Sequence, residues 1–163
     1  MIIAYADPPY PGLAHYYNND EVDFNRLIER LVDDYPDGWA LSIHSPALKE
    51  ILPMCPDGAR VGAWTKPFCS FKPGVNPAYT WEPIIFMGGR KRGTDERTVK
   101  DHFACSITLK RGLVGVKPEG FCFWLFRLLG LQDGDHFVDL FPGSGAVTRA
   151  WEKYRQQKQL VLL

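Results

Sequence analysis

The stretch that most constrains the fold is 136–157. An apolar strand (136–141) runs through a glycine-rich turn, Pro142-Gly143-Ser144-Gly145, directly into a segment with helical apolar spacing, 146–157. A strand that turns through glycines into a helix points to a layered α/β sheet. The rest of the chain agrees. Residues 1–6 form a short apolar strand that enters a proline-rich loop. A helix follows from a cap at Asn19-Asp20, with Val22, Leu27, Ile28, Leu31 and Val32 on one face. Strands are expected over 39–44, 60–65 and 80–87, with a short helix over 46–53 after Ser45. Pro83 cannot donate to a ladder, which places the early part of the fourth strand near an edge or bulge. Pro118 opens an apolar helix over 118–129 that ends at Gly130, and a last strand covers 159–163. The proline-, glycine- and charge-rich segments 66–79 and 88–117 read as long loops on the active face.

A chain of 163 residues suits one domain around one core. No apolar run reaches the roughly 18 residues of a membrane span, and the first residues lack the basic start of a signal peptide. Cys55, Cys69, Cys105 and Cys122 form no CxxC pair, and His15, His44, His102 and His136 are equally scattered. No metal site is expected, and the cysteines read as reduced thiols of a cytoplasmic protein. Net charge is zero but uneven: residues 1–60 hold ten acids against four bases, whereas 87–117 hold eight bases against three acids. A polyanion is drawn to the second segment and repelled by the first.

Two motifs carry chemistry. Asp7-Pro8-Pro9-Tyr10 follows the first strand directly. An exocyclic base amine is a poor nucleophile because its lone pair is delocalised into the ring. A carboxylate and a backbone carbonyl that accept its hydrogens favour a tetrahedral nitrogen with an available lone pair. Asp7 and the Pro8 carbonyl suit those parts, Pro9 stiffens the turn, and Tyr10 offers a face to a base swung out of its stack. The second motif is Asp139-Leu140-Phe141-Pro142-Gly143-Ser144-Gly145. Its glycines let a nucleotide-like ligand approach backbone amides at a helix start. Such a turn alone is shared with dinucleotide enzymes, P-loops and plain turns. Here Val147-Thr148 stand where a dinucleotide fingerprint has its third glycine, and no P-loop Lys-Ser/Thr follows.

Together the two motifs, with Lys117-Pro118 opening a helix just before the glycine strand, resemble the beta-class, circularly permuted DNA amino-methyltransferases of the N6-adenine/N4-cytosine type. The resemblance covers nearly the whole chain. It implies a Rossmann-like S-adenosylmethionine-dependent methyltransferase fold, with a mostly parallel sheet in a three-layer sandwich, permuted motif order and no separate target-recognition domain. It implies S-adenosylmethionine as cofactor and adenine N6 in DNA as target. The alternatives are DNA cytosine N4, RNA adenosine N6, and a non-catalytic nucleic-acid-binding subunit. Carried over by position, Asp7, Pro8, Pro9 and Tyr10 hold the target base. Asp7, Lys117, Pro118, Asp139, Phe141, Gly143, Ser144 and Gly145 hold the cofactor. The family ends the strand after the glycine helix with an acid for the ribose hydroxyls, and Leu160-Val161-Leu162-Leu163 departs from this. The small size points to a homodimer or a partner protein.

Lys66, Arg90, Lys91 and Arg92 are the expected nucleic-acid contacts. Glu82 reads either as functional or as half of a surface ion pair. Phe121, Phe123, Trp124 and Phe126 have the spacing of a helix core rather than of a stacking platform. Asp101-His102 is assigned no role.

Overall fold

The computed structural model describes residues 1–12, 21–69, 71, 73–108 and 116–161, with side chains as far as 157. The elements in order are β1 (Ile2–Ala6), α1 (Phe24–Asp34), β2 (Gly38–Ser42), a run of short helical turns containing α2 (Leu48–Ile51), β3 (Arg60–Thr65), β4 (Trp81–Gly88), β5 (His102–Ala104), α3 (Glu119–Leu128), β6 (His136–Asp139) and α4 (Ala146–Val161). They form one six-stranded sheet in the order β5-β3-β4-β2-β1-β6. β1 is parallel to β2 and β6, and β3 to β5, whereas β4 runs antiparallel to both β2 and β3. Five strands therefore point one way and β4 alone points back.

The period-two alternation of each strand divides the core into two layers. Ile3, Tyr5, Ala40, Trp64, Ile84 and Phe86 face α3 and α4, where Phe121, Trp124, Leu125, Phe126 and Trp151 pack. Ala4, Ala6, Trp39, Leu41 and Ile85 face α1 and the 45–54 turns. Helix α1 buries Phe24, Leu27, Ile28 and Leu31, one face at helical spacing. Two buried layers on opposite faces make the expected three-layer sandwich. The α3 aromatics sit in that core as their spacing indicated. Helix α3 ends in a Schellman turn: Gly130 adopts φ +68, its N–H bonds to Arg127 O at 3.1 Å, and Leu131 N–H bonds to Phe126 O at 2.9 Å. All four cysteines are free.

Several expectations are corrected. Helix α1 starts behind Asp23, whose carboxylate accepts from Arg26 N–H at 3.2 Å, because this cap satisfies an otherwise orphaned amide. Asn19 and Asp20 lie outside the described residues. Pro83 sits in a central strand. Its carbonyl accepts from Ile43 N–H at 3.2 Å, so its missing N–H also faces β2, just past Ser42↔Ile84, the last registered pair. The strand expected over 159–163 is helix as far as Val161. No glycine or proline stops α4, and its glutamines and lysines favour continuation. Inside the supposed loop 88–117, three residues form β5 against β3. That segment also does not begin on the active face. β4 ends beside Gly38, at the amino ends of β1 and β2. Gly88 has φ +72, and a Cβ there would lie 2.7 Å from Gly38 Cα, so glycine is required for this junction. Among the described residues, no helix is long and apolar enough to cross a membrane.

Candidate active site

The carboxyl ends of β1, β2, β3 and β6 and the start of β4 share one edge of the sheet, and the first motif emerges there. Asp7 continues the face of Ile3 and Tyr5, Lys66 that of Trp64, and Glu82 that of Ile84 and Phe86. All three therefore point toward the layer of α3, where Lys117 waits just ahead of the helix. Lys117 Nζ donates to Asp7 Oδ1 at 2.9 Å and to Glu82 Oε2 at 3.2 Å. Lys66 Nζ pairs with the other Glu82 oxygen and lies 4.7 Å from the Trp64 ring centroid. Side-chain exposure is 5% at Lys117, 9% at Glu82 and 21% at Asp7, so this is a buried network of two acids and two bases.

Burial lowers the proton affinity of an ammonium, but Asp7 and Glu82 outweigh it, and Lys117 is held well above its ordinary value. Burial pushes Asp7 up, only partly offset by Lys117. At Glu82 burial acts in the same direction, yet Lys117 and Lys66 together bring it below the usual range. Glu82 also engages the Tyr10 hydroxyl, whose ionisation burial makes harder still. The Tyr10 ring stacks on His44 at 5.1 Å and 14°, and His44 meets Tyr79 edge-on at 4.6 Å. Pro8 and Pro9 are buried.

The second motif arrives one strand away. Tyr5 is registered with Asp139, so sequence positions 7 and 139 end on adjacent strands. Asp139 Oδ2 accepts from Thr148 Oγ1 at 3.2 Å, while Oδ1 is buried without a hydrogen-bond partner. Burial raises this carboxylate as well. The turn beyond is open. Gly143 has φ +45, and a Cβ there would meet nothing nearer than Phe141 O at 3.9 Å. Phe141 packs toward the α1 side, Gly143 and Ser144 are exposed, and the Ser144 carbonyl accepts from Arg149.

The expected basic contacts fare differently. Lys66 is committed to Glu82 rather than free for phosphate. Arg90 lies at the opposite edge, where Nη2 clamps both Asp135 oxygens at 2.8 and 2.9 Å and Nε donates to Gly130 O at 3.2 Å. Arg92 donates to the Arg97 and Arg127 carbonyls, and Lys91 is exposed on the same segment. These two arginines bind the chain to itself, because the reversed strand β4 carries them away from the site. Glu82 is the residue that reading the sequence undervalued. Its place two and four positions before Ile84 and Phe86 was the available signal for burial. His44 and Tyr79 gave no signal short of the fold. Among the described residues, no three His, Cys, Asp or Glu side chains gather as a metal ion would need.

No family model matches the chain, and no curated protein matches it in sequence. Solved structures do. A crystal structure of an M1.HpyAVI–SAM complex matches over 95% of this chain and 78% of its own, with a TM-score of 0.65 and 14% identity. A crystal structure of M1.HpyAVI matches over 94% of this chain and 76% of its own, with a TM-score of 0.61 and 13% identity. At such identities the likeness is one of fold: this chain folds as M1.HpyAVI does.

Proposed function

We propose that the chain transfers a methyl group from S-adenosylmethionine to the exocyclic amine of a nucleic-acid base, with adenine N6 in DNA as the target. One observation carries the reading. The register Tyr5↔Asp139 sets the Asp-Pro-Pro-Tyr turn beside the glycine turn, although 132 residues separate Asp7 from Asp139. The fold shared with M1.HpyAVI, solved in complex with SAM, supports it. The residues also suit the cofactor. The unpartnered Asp139 Oδ1 is an acceptor for an ammonium group, and the space over Gly143 admits a ligand to the backbone. Phe141, Ser144 and Gly145 complete that turn, with Lys117 and Pro118 beside it.

Bound S-adenosylmethionine supplies an electrophilic methyl group on a sulfonium. Lys117 occupies Asp7 Oδ1, and the other carboxylate oxygen takes one hydrogen of the target amine. The Pro8 carbonyl takes the second. The amine would take the methyl group that S-adenosylmethionine would supply, leaving the cofactor as a neutral thioether, and one amine proton would pass to Asp7. Because burial raises the proton affinity of Asp7, it is a better acceptor than an exposed aspartate. His44 backs one face of Tyr10, so the base stacks on the other. In this reading residues 1–163 act as one domain, and a second copy or partner protein adds contacts.

The test is incubation with isotopically labelled S-adenosylmethionine and separate DNA and RNA substrates, followed by nucleoside mass spectrometry. Label in N6-methyldeoxyadenosine is expected. Label in N4-methyldeoxycytidine or N6-methyladenosine reassigns the target. Cofactor binding without transfer to any nucleic acid refutes the catalytic reading.

A further inference from the structure

Five large apolar side chains are substantially exposed among the described residues, and four of them lie between β3 and the first residue of β4: Phe68 at 53%, Phe71 at 77% and Tyr79 at 47% in the connecting loop, and Trp81 at 36% where β4 opens. The loop joins β3 to β4 and is closed at its base by Lys66 N–H to Thr80 O at 2.7 Å. It rises from the edge of the sheet that carries Asp7, and Tyr79 continues a line of rings that runs from Tyr10 through His44. Positions 66–81 contain Lys66 and Lys72 and no acid. Exposed apolar groups concentrated in one place mark an interaction surface, and exposed aromatic rings in a loop without acids suit an anionic strand whose bases are unstacked. A helix-facing or membrane-facing surface would need a continuous aliphatic stripe, which this proline- and glycine-containing loop lacks.

From this we infer that the 66–81 loop is the nucleic-acid-binding element of the protein, and that it stacks unpaired bases flanking the target in a single strand. The inference rests on the proposed methyl transfer for its occupant and deepens it by naming the substrate class. Bases approach Phe68, Phe71 and Trp81 by their faces, and the ring line leads inward to Tyr10. The Arg90–Arg92 segment takes no part, since it lies at the far edge of the sheet.

The test uses the whole chain and a fluorescein-labelled single-stranded DNA oligonucleotide with one adenine in a thymine tract, beside its duplex. Phe68→Ala and Phe71→Ala remove exposed rings and leave the core intact. Each is expected to weaken single-strand binding by about 5- to 140-fold, the range of one base–aromatic stack. S-adenosylmethionine affinity by calorimetry and the slope of log affinity against log salt should not change. Trp81 gives a direct readout, because Trp39, Trp64, Trp124 and Trp151 are buried at 2, 2, 3 and 6%. The oligonucleotide should quench tryptophan emission in the parent and not in Trp81→Phe. Three results overturn the inference: parental affinity in both alanine variants, duplex bound as tightly as single strand, or a parental dimer in sedimentation that Phe71→Ala dissociates. In each of them methyl transfer by the parent can persist, which separates failure here from failure of the proposed activity.

Discussion

Replacing Lys117 by Met removes one buried ammonium while keeping the length of the side chain, and two carboxylates lose their shared partner. Asp7 and Glu82 then face each other with only Lys66, which pairs with Glu82 alone. Removing one member of a buried ion pair costs about 3–5 kcal/mol because a charge is left uncompensated. With Lys117 only 5% exposed, solvent screening gives little relief. For a domain of this size, about 3–5 kcal/mol corresponds to roughly 6–20 °C in Tm. The pH dependence identifies the cause. Without the ammonium, the folded-state proton affinities of both carboxylates rise above their unfolded values. The folded state then binds protons more tightly than the unfolded one, and the deficit should shrink as pH falls from 7 toward the carboxylate range near about 4. A double substitution, Lys117→Met with Glu82→Gln, should recover part of the loss at neutral pH by removing one of the two charges. The assay is urea unfolding at several pH values, followed by circular dichroism, on parent, single and double variants. An equal deficit at pH 5 and pH 7, together with a double variant no more stable than the single, would refute the electrostatic account and leave only lost packing.

Three further outcomes follow from the same geometry. Asp7→Ala should slow single-turnover methyl transfer by about 10²-fold or more while S-adenosylmethionine affinity falls less, since the group is proposed to act on the amine; transfer at the parental rate in a folded variant would remove Asp7 from that role. Gly143→Val should abolish cofactor binding in calorimetry, both by filling the open space above the turn and by placing a β-branched residue at φ +45. Arg90→Ala should cost roughly 1–3 kcal/mol in urea unfolding, because Asp135 at 4% exposure loses its bidentate donor, with nucleic-acid affinity unchanged.

Much of this was legible in the sequence for a physical reason: strands buried on both faces and glycine turns are local signals. β3 was read at its observed bounds, and β6 opened at the expected residue, because apolar runs there end in charged or glycine-rich turns. Asp7, Lys117 and Asp139 were named from their motifs, and the fold brings them to one edge of the sheet. The misreadings are non-local. Whether Arg90 faces the site depends on the direction of β4, and no residue in the strand records that direction. Whether Glu82 is a surface ion pair or a buried hub depends on Lys117, 35 residues away. The end of α4 was misread because four apolar residues fit a strand as well as a helical turn.

The division of labour between the two edges of the sheet has a practical corollary for variant screening. Substitutions around Arg90, Asp135 and Gly88 act at the edge remote from the proposed site, and their signature would be reduced abundance with the proposed methyl transfer per folded molecule unchanged. Substitutions at the carboxyl ends of β1 and β6 would lower turnover per molecule, with abundance largely kept. Lys117 and Glu82 break this partition, since the same ion pairs join the strands and set the charge at Asp7. A library scored for abundance and turnover together would therefore place most positions on one axis or the other and these two on the diagonal. Stabilising changes for engineering are best sought at the remote edge, where nothing in the site depends on them.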